Sequence, residues 1–165
     1  MDNRNLRGLT MATVNPVLIK GTSLSYTTSV TSAGMINGKW VTALTAQTNA
    51  AVPTTDAVTG LAFPSLTDNQ ATVIVVGQNA AGEIKAAQGS IESTAVGVTT
   101  TAGAFIVAPQ FPTLPANFIV FGYMLARTAP SAADWKFGTD TWAATGVTTT
   151  QFVPCAVLPM RPQTT

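Results

Sequence analysis

The sequence predicts an all-β protein: a single β-sandwich or jelly-roll-like domain with an extended N-terminal arm. Three observations predict it. Val73–Val76 and Phe118–Ala126 are apolar on both parities, as in strands buried on both faces. Turn signals recur about every 8 to 12 residues, and no long window carries a helical period. Threonine occurs 28 times, and its β-branched side chain favours strands.

Residues 1–14 read as the arm and 15–165 as the domain. The arm mixes Asp2, Asn3, Arg4, Asn5 and Arg7 with Leu6 and Leu9, without strand or helix period. Such a segment orders on a partner, with Leu6 and Leu9 as apolar anchors and Arg4 and Arg7 as charge contacts. Asn15-Pro16 turns the chain into the domain. Val17–Lys20 and Ser23–Val30 read as short strands around Gly21. Met35-Ile36-Asn37-Gly38-Lys39-Trp40-Val41 is a hairpin, because Asn-Gly tolerates the positive φ of a type I′ turn. Ala43–Ala51 is ambiguous, with a short helix as one reading.

Pro53–Asp56 opens a loop. Leu61-Ala62-Phe63-Pro64 reads as an edge segment, since proline cannot donate to a ladder. Leu66–Gln70 turns into the central hairpin. There Val73–Val76 leads through Gln78–Gly82 to a second strand that alternates Glu83 and Lys85 with Ile84 and Ala86. Glu92–Thr101 and Gly103–Ala108 read as further strands. Alternate prolines from Pro109 to Pro115 force an extended path. After the buried strand Phe118–Ala126, Pro130–Asp134 reads as one helical turn capped by Ser131. Trp135–Phe137 and Thr141-Trp142 flank Gly138-Thr139-Asp140 in hairpin fashion. Val147–Val153 is a Thr-rich strand with Phe152 on one face. The prolines at 154, 159 and 162 keep the tail extended.

Charged residues are 9% of the chain, against about 25% in ordinary soluble domains. A surface with so few ions costs little to desolvate, which suits a subunit surrounded by other subunits. Net charge is +1, which gives no footprint for nucleic acid or an anionic membrane. The first 40 residues hold Arg4, Arg7, Lys20 and Lys39 against Asp2, a small excess suited to docking on an acidic surface. Cys155 is the single cysteine, so no internal disulfide forms. The N-terminus lacks the apolar core of a signal peptide, and the longest apolar run is about half a membrane span. These features imply synthesis in the cytoplasm without Sec export.

Chemistry is scarce. Without histidine there is no Ser-His or Cys-His nucleophile pair, and most zinc and iron sites are excluded. Gly77 and Gly82 have phosphate-loop spacing, but Glu83 and Ile84 stand where Lys and Ser/Thr are required, so a hairpin explains them better. Among seven carboxylates, Asp134 and Asp140 flank Trp135 and Phe137 as a glycosidase pair would, yet both read more simply as turn residues. Trp40, Trp135 and Trp142 suit core or subunit-interface packing better than sugar stacking. The expectation is no enzyme, no cofactor and no metal.

An ordered set of turn motifs spans most of residues 15–162. It comprises Ile36-Asn37-Gly38-Lys39-Trp40-Val41, Gly82-Glu83-Ile84 with Gln88-Gly89, Phe111-Pro112-Thr113-Leu114-Pro115 with Gly122-Tyr123, and Gly146–Thr150 running to Leu158-Pro159-Met160-Arg161-Pro162. Together these resemble the head decoration, or cement, proteins of tailed bacteriophages. The resemblance implies a structural virion protein on the outer capsid surface, a homotrimer bound at junctions of the major capsid protein. The capsid-contact candidates are Arg4, Leu6, Arg7 and Leu9, and the interface aromatics are Trp135, Phe137 and Trp142. The alternative is a tail, fibre or carbohydrate-binding virion module that uses Trp135 and Trp142 for host attachment.

Overall fold

The computed structural model describes residues 9–21 and 23–164, and among them it contains strands and turns but no helix. The strands in chain order are β1 (Met11–Val14), β2 (Leu18–Lys20), β3 (Ser25–Thr28), β4 (Ala33–Ile36), β5 (Lys39–Trp40), β6 (Ala50–Ala51), β7 (Gln70–Gln78), β8 (Ile84–Ser93), β9 (Ile119–Thr128), β10 (Val147–Thr149) and β11 (Val153–Pro154). They form three antiparallel sheets with orders β1-β4-β5, β2-β3-β6 and β10-β9-β7-β8, and β11 also pairs with β9. The all-β class is therefore present.

Sheet β10-β9-β7-β8 is the centre. β7 is buried from Ala71 to Gln78, and β9 is buried along almost its whole length. Side chains alternate between two packed clusters, as a period of two requires. Ile74 and Val76 join Phe63, Leu66, Trp135, Phe137 and the N-terminal residues Leu18, Tyr26 and Ile36. Val73 and Val75 join Tyr123 and Leu125, covered by Phe111, Leu114, Val153 and Leu158.

Two irregularities place the covering segments. Between the pairs Thr72–Ile91 and Ile74–Gln88, β8 spends one residue more than β7, so it bulges at Gly89. Ser90 there accepts at its hydroxyl from Gln110 N–H (2.8 Å) and donates its own N–H to the Gln110 carbonyl (3.0 Å). Between Val76–Gly122 and Gly77–Val120, β9 carries the extra residue Phe121. Its carbonyl accepts from Cys155 N–H at 3.0 Å, beside the β11 pairing. Each bulge is thus where a proline-bearing segment ties down.

The Asn-Gly hairpin forms as the sequence predicts. Ile36 pairs with Lys39, and Asn37 and Gly38 have φ of 51° and 75°. The central hairpin also forms, with Gln78 paired to Ile84 and Gly82 at φ 78°. Other expectations change. Met11–Val14, read as the end of the arm, pairs with β4, because the apolar edge of β4 offers it a ladder. Residues 43–49 run extended rather than helical, tied by Ser32 N–H to Leu44 O (2.9 Å) and Thr28 N–H to Gln47 O (3.0 Å). Beyond β8, residues 94–108 fold back on themselves with short bridges instead of two strands. Backbone approaches at Gly97 and Gly103 interrupt any longer ladder. Pro130–Asp134 is a turn, and the Ser131 hydroxyl donates to Thr99 O rather than capping a helix. The flanks of Gly138-Thr139-Asp140 form no ladder with each other. The Asp140 carboxylate instead accepts from Lys136 N–H at 2.6 Å and closes a turn. The strand expected over 147–153 divides into β10 and β11.

Candidate functional site

The expected interface aromatics are not on the surface. Trp135 and Phe137 are each 1% exposed and Trp142 is 6% exposed. Phe137 lies edge-on to Phe63 at 4.9 Å and tilted against Trp142 at 5.7 Å, and Trp142 meets Phe152 at 6.4 Å. Both indole N–H groups are satisfied internally. Trp135 donates to Thr141 O (3.1 Å) and Trp142 to Ser25 O (3.3 Å). The physical reason is that the turn closed by Asp140 folds inward over the face of β7 and β9. The stretch from 135 to 142 is core, which corrects its reading as an interface or sugar platform.

Of the arm candidates, Arg4, Leu6 and Arg7 lie outside the described residues. Leu9 is half-buried, and its carbonyl accepts from Gly38 N–H at 2.9 Å. With Thr10 Oγ1 accepting from Asn37 N–H (3.2 Å), it fixes the chain to the tip of the β4–β5 hairpin.

The polar groups are engaged in holding the fold. Asp56 is buried, and its carboxylate accepts from the N–H groups of Val58 (2.7 Å), Thr59 (3.1 Å) and Gln88 (2.8 Å). It therefore pins the loop after Pro53 to β8. We expect Asp56→Asn to lower the unfolding free energy by about 2 kcal/mol, because the amide NH₂ would oppose a buried N–H donor. Urea unfolding checks this; an unchanged midpoint would remove the pinning role. Gln78 is fully buried, accepts from the Ser32 hydroxyl and donates to Thr42 O at 3.0 Å, while Ser32 Oγ accepts from Leu44 N–H at 2.8 Å. Lys20 Nζ donates to Thr149 Oγ1 at 2.7 Å and sits 6.0 Å from the Trp142 ring, and burial lowers its pKa.

None of this is an arrangement for catalysis. Among the described residues no three His, Cys, Asp or Glu side chains cluster to hold a metal. Asp134 is exposed, while Asp140 is committed to its turn. Cys155 packs beside the second cluster, and burial pushes its thiol up, away from the thiolate. Glu83 accepts from Asn79 and pairs with Lys85 at 3.1 Å, which together hold its carboxyl below the usual range.

What the surface does offer is apolar area. Leu61, Val96, Val98, Ile106, Val157 and Met160 are between 66% and 98% exposed. Val107 and Met160 line one hollow of about 360 Å³ together with Phe111 and Arg161. A second hollow, of about 410 Å³, lies along β5 between Ile36, Lys39, Trp40, Thr42 and Ala80. Trp40 stands 69% exposed there. The polar ties at Asp56 and Gln78 escape sequence reasoning, since neither residue lies in a motif. The exposed apolar residues were visible only as members of expected strands. No known protein family, curated protein or solved structure matches this chain.

Proposed function

We propose that the chain is a non-enzymatic structural protein of a tailed-phage virion, which decorates and stabilises the outside of the capsid. In this reading its sheets form one sandwich-like domain, and a homotrimer binds at junctions of the major capsid protein. The protein is made in the host cytoplasm and ends on the outer face of the virion.

The observation that supports this most is the exposed apolar surface of a chain with few ions. Large apolar residues left in water mark surfaces that another protein covers. Here their burial strips few charges of water, which keeps the desolvation cost low. Repeated over three copies, individually weak contacts give strong retention. Arg4, Leu6, Arg7 and Leu9 remain the arm's contact candidates. The carbohydrate-binding alternative loses its proposed platform, because Trp135 and Trp142 are buried.

The test is co-sedimentation of purified protein with undecorated capsids, counting copies per shell. Saturation at a fixed number, three for each local three-fold site, is expected. Removal of residues 1–8 should lower occupancy. Recovery of the protein only with tails or host cells would overturn the capsid reading.

A further inference from the structure

The N-terminal segment leaves the described structure beside the β4–β5 hairpin, held there by Leu9 O on Gly38 N–H and Thr10 Oγ1 on Asn37 N–H. Immediately across that hairpin is the Trp40 hollow. β5 is the terminal strand of its sheet. Val41 N–H donates to Gly34 O (3.2 Å), which turns the backbone amide and carbonyl of Trp40 outward, to the open edge. An unpaired edge beside an exposed indole is a template for one more strand.

We propose that this hollow is the seat of the chain's own residues 1–8, with Leu6 as the apolar anchor against Trp40. Three extended residues from Leu9 to Leu6 reach roughly 10 Å. The two strand spacings from β1 to β5 amount to about 9.6 Å. Leu6 therefore spans the hairpin tip within one chain. A segment approaching the tip runs antiparallel to β5, which leaves the tip, so the edge is presented in the commoner pairing sense. Leu6 is the one aliphatic branched side chain in residues 1–8. In that seat Leu6 is an internal anchor, which leaves Arg4 and Arg7 as the shell-facing candidates of the arm. The inference does not rest on the capsid reading and is tested without a capsid.

The test uses tryptophan emission, because Trp40 is exposed while Trp135 and Trp142 are buried. Acrylamide quenching is compared for the full chain, the chain lacking residues 1–8, and full-length Leu6→Asp. The expected result is a nearly unquenchable full chain. In both variants about one third of the emission, one tryptophan of three, should become quenchable. Trp40→Phe in the truncated chain should abolish that fraction and so assign it. Equal quenching of the full and truncated chains would overturn the proposal. Shielding that appears only as protein concentration rises would overturn it in favour of exchange between two copies.

Discussion

Replacing Trp135 by alanine is expected to destabilise the protein by about 3–5 kcal/mol, the usual range for deleting a buried indole. For a chain of this size that is a fall in melting temperature of roughly 6–20 °C. Trp135 is among the largest fully buried side chains, and three attachments are lost with it. The indole fills the space between Leu66, Phe63 and Phe137 in the first cluster. Its N–H no longer holds Thr141 O. Its backbone pairing with Leu66, at 2.7 and 2.9 Å, loses the packing that keeps it in place. A surface tryptophan used for binding behaves oppositely, because its removal spares the fold and weakens the partner. Thermal unfolding of the isolated variant therefore decides between the two roles. An unchanged melting temperature would return Trp135 to the surface.

That contrast also marks how far the sequence was legible. The central sheet could be read because Val73–Val76 and Phe118–Ala126 are apolar on both parities, and only a strand covered twice tolerates that. The Asn37-Gly38 hairpin could be read because positive φ at two successive residues leaves few alternatives. Residues 135–142 defeated the same logic. Their turn chemistry was visible, but local signals do not say whether a turn folds outward or over a sheet. The inward fold is decided by Leu66, nearly 70 positions away, and by no local pattern. The same holds for residues 94–108, where strand-like composition gives way to close backbone contacts at Gly97 and Gly103. The apolar surface was implied by low charge alone. Which side chains form it depended on how those loops closed.

Gly77→Val is expected to lower stability by about 3 kcal/mol or more, and the reason differs from that of the other hairpin glycine. Gly82 is needed for its φ of 78°, whereas Gly77 is not among the positive-φ positions. A Cβ at Gly77 would stand 1.9 Å from the Ile119 carbonyl oxygen and 2.6 Å from the Phe118 ring. Those atoms belong to β9 and the residue before it, where the Phe121 bulge shifts the register against β7. Neither side can retreat, because both strands are buried on both faces. Overpacking in such a place costs about 1–3 kcal/mol from strain, and parting the ladder adds unsatisfied buried peptide groups. Gly60→Ala supplies the control. Its φ is 72° and a Cβ there meets nothing within 4 Å, so only the dihedral is penalised, by about 1 kcal/mol. Chemical unfolding of the pair separates the two effects. Equal losses would mean that backbone conformation, rather than the close approach of β7 and β9, governs both glycines. A loss at Gly77 several times larger would identify the bulged crossing as the point on which the central sheet depends.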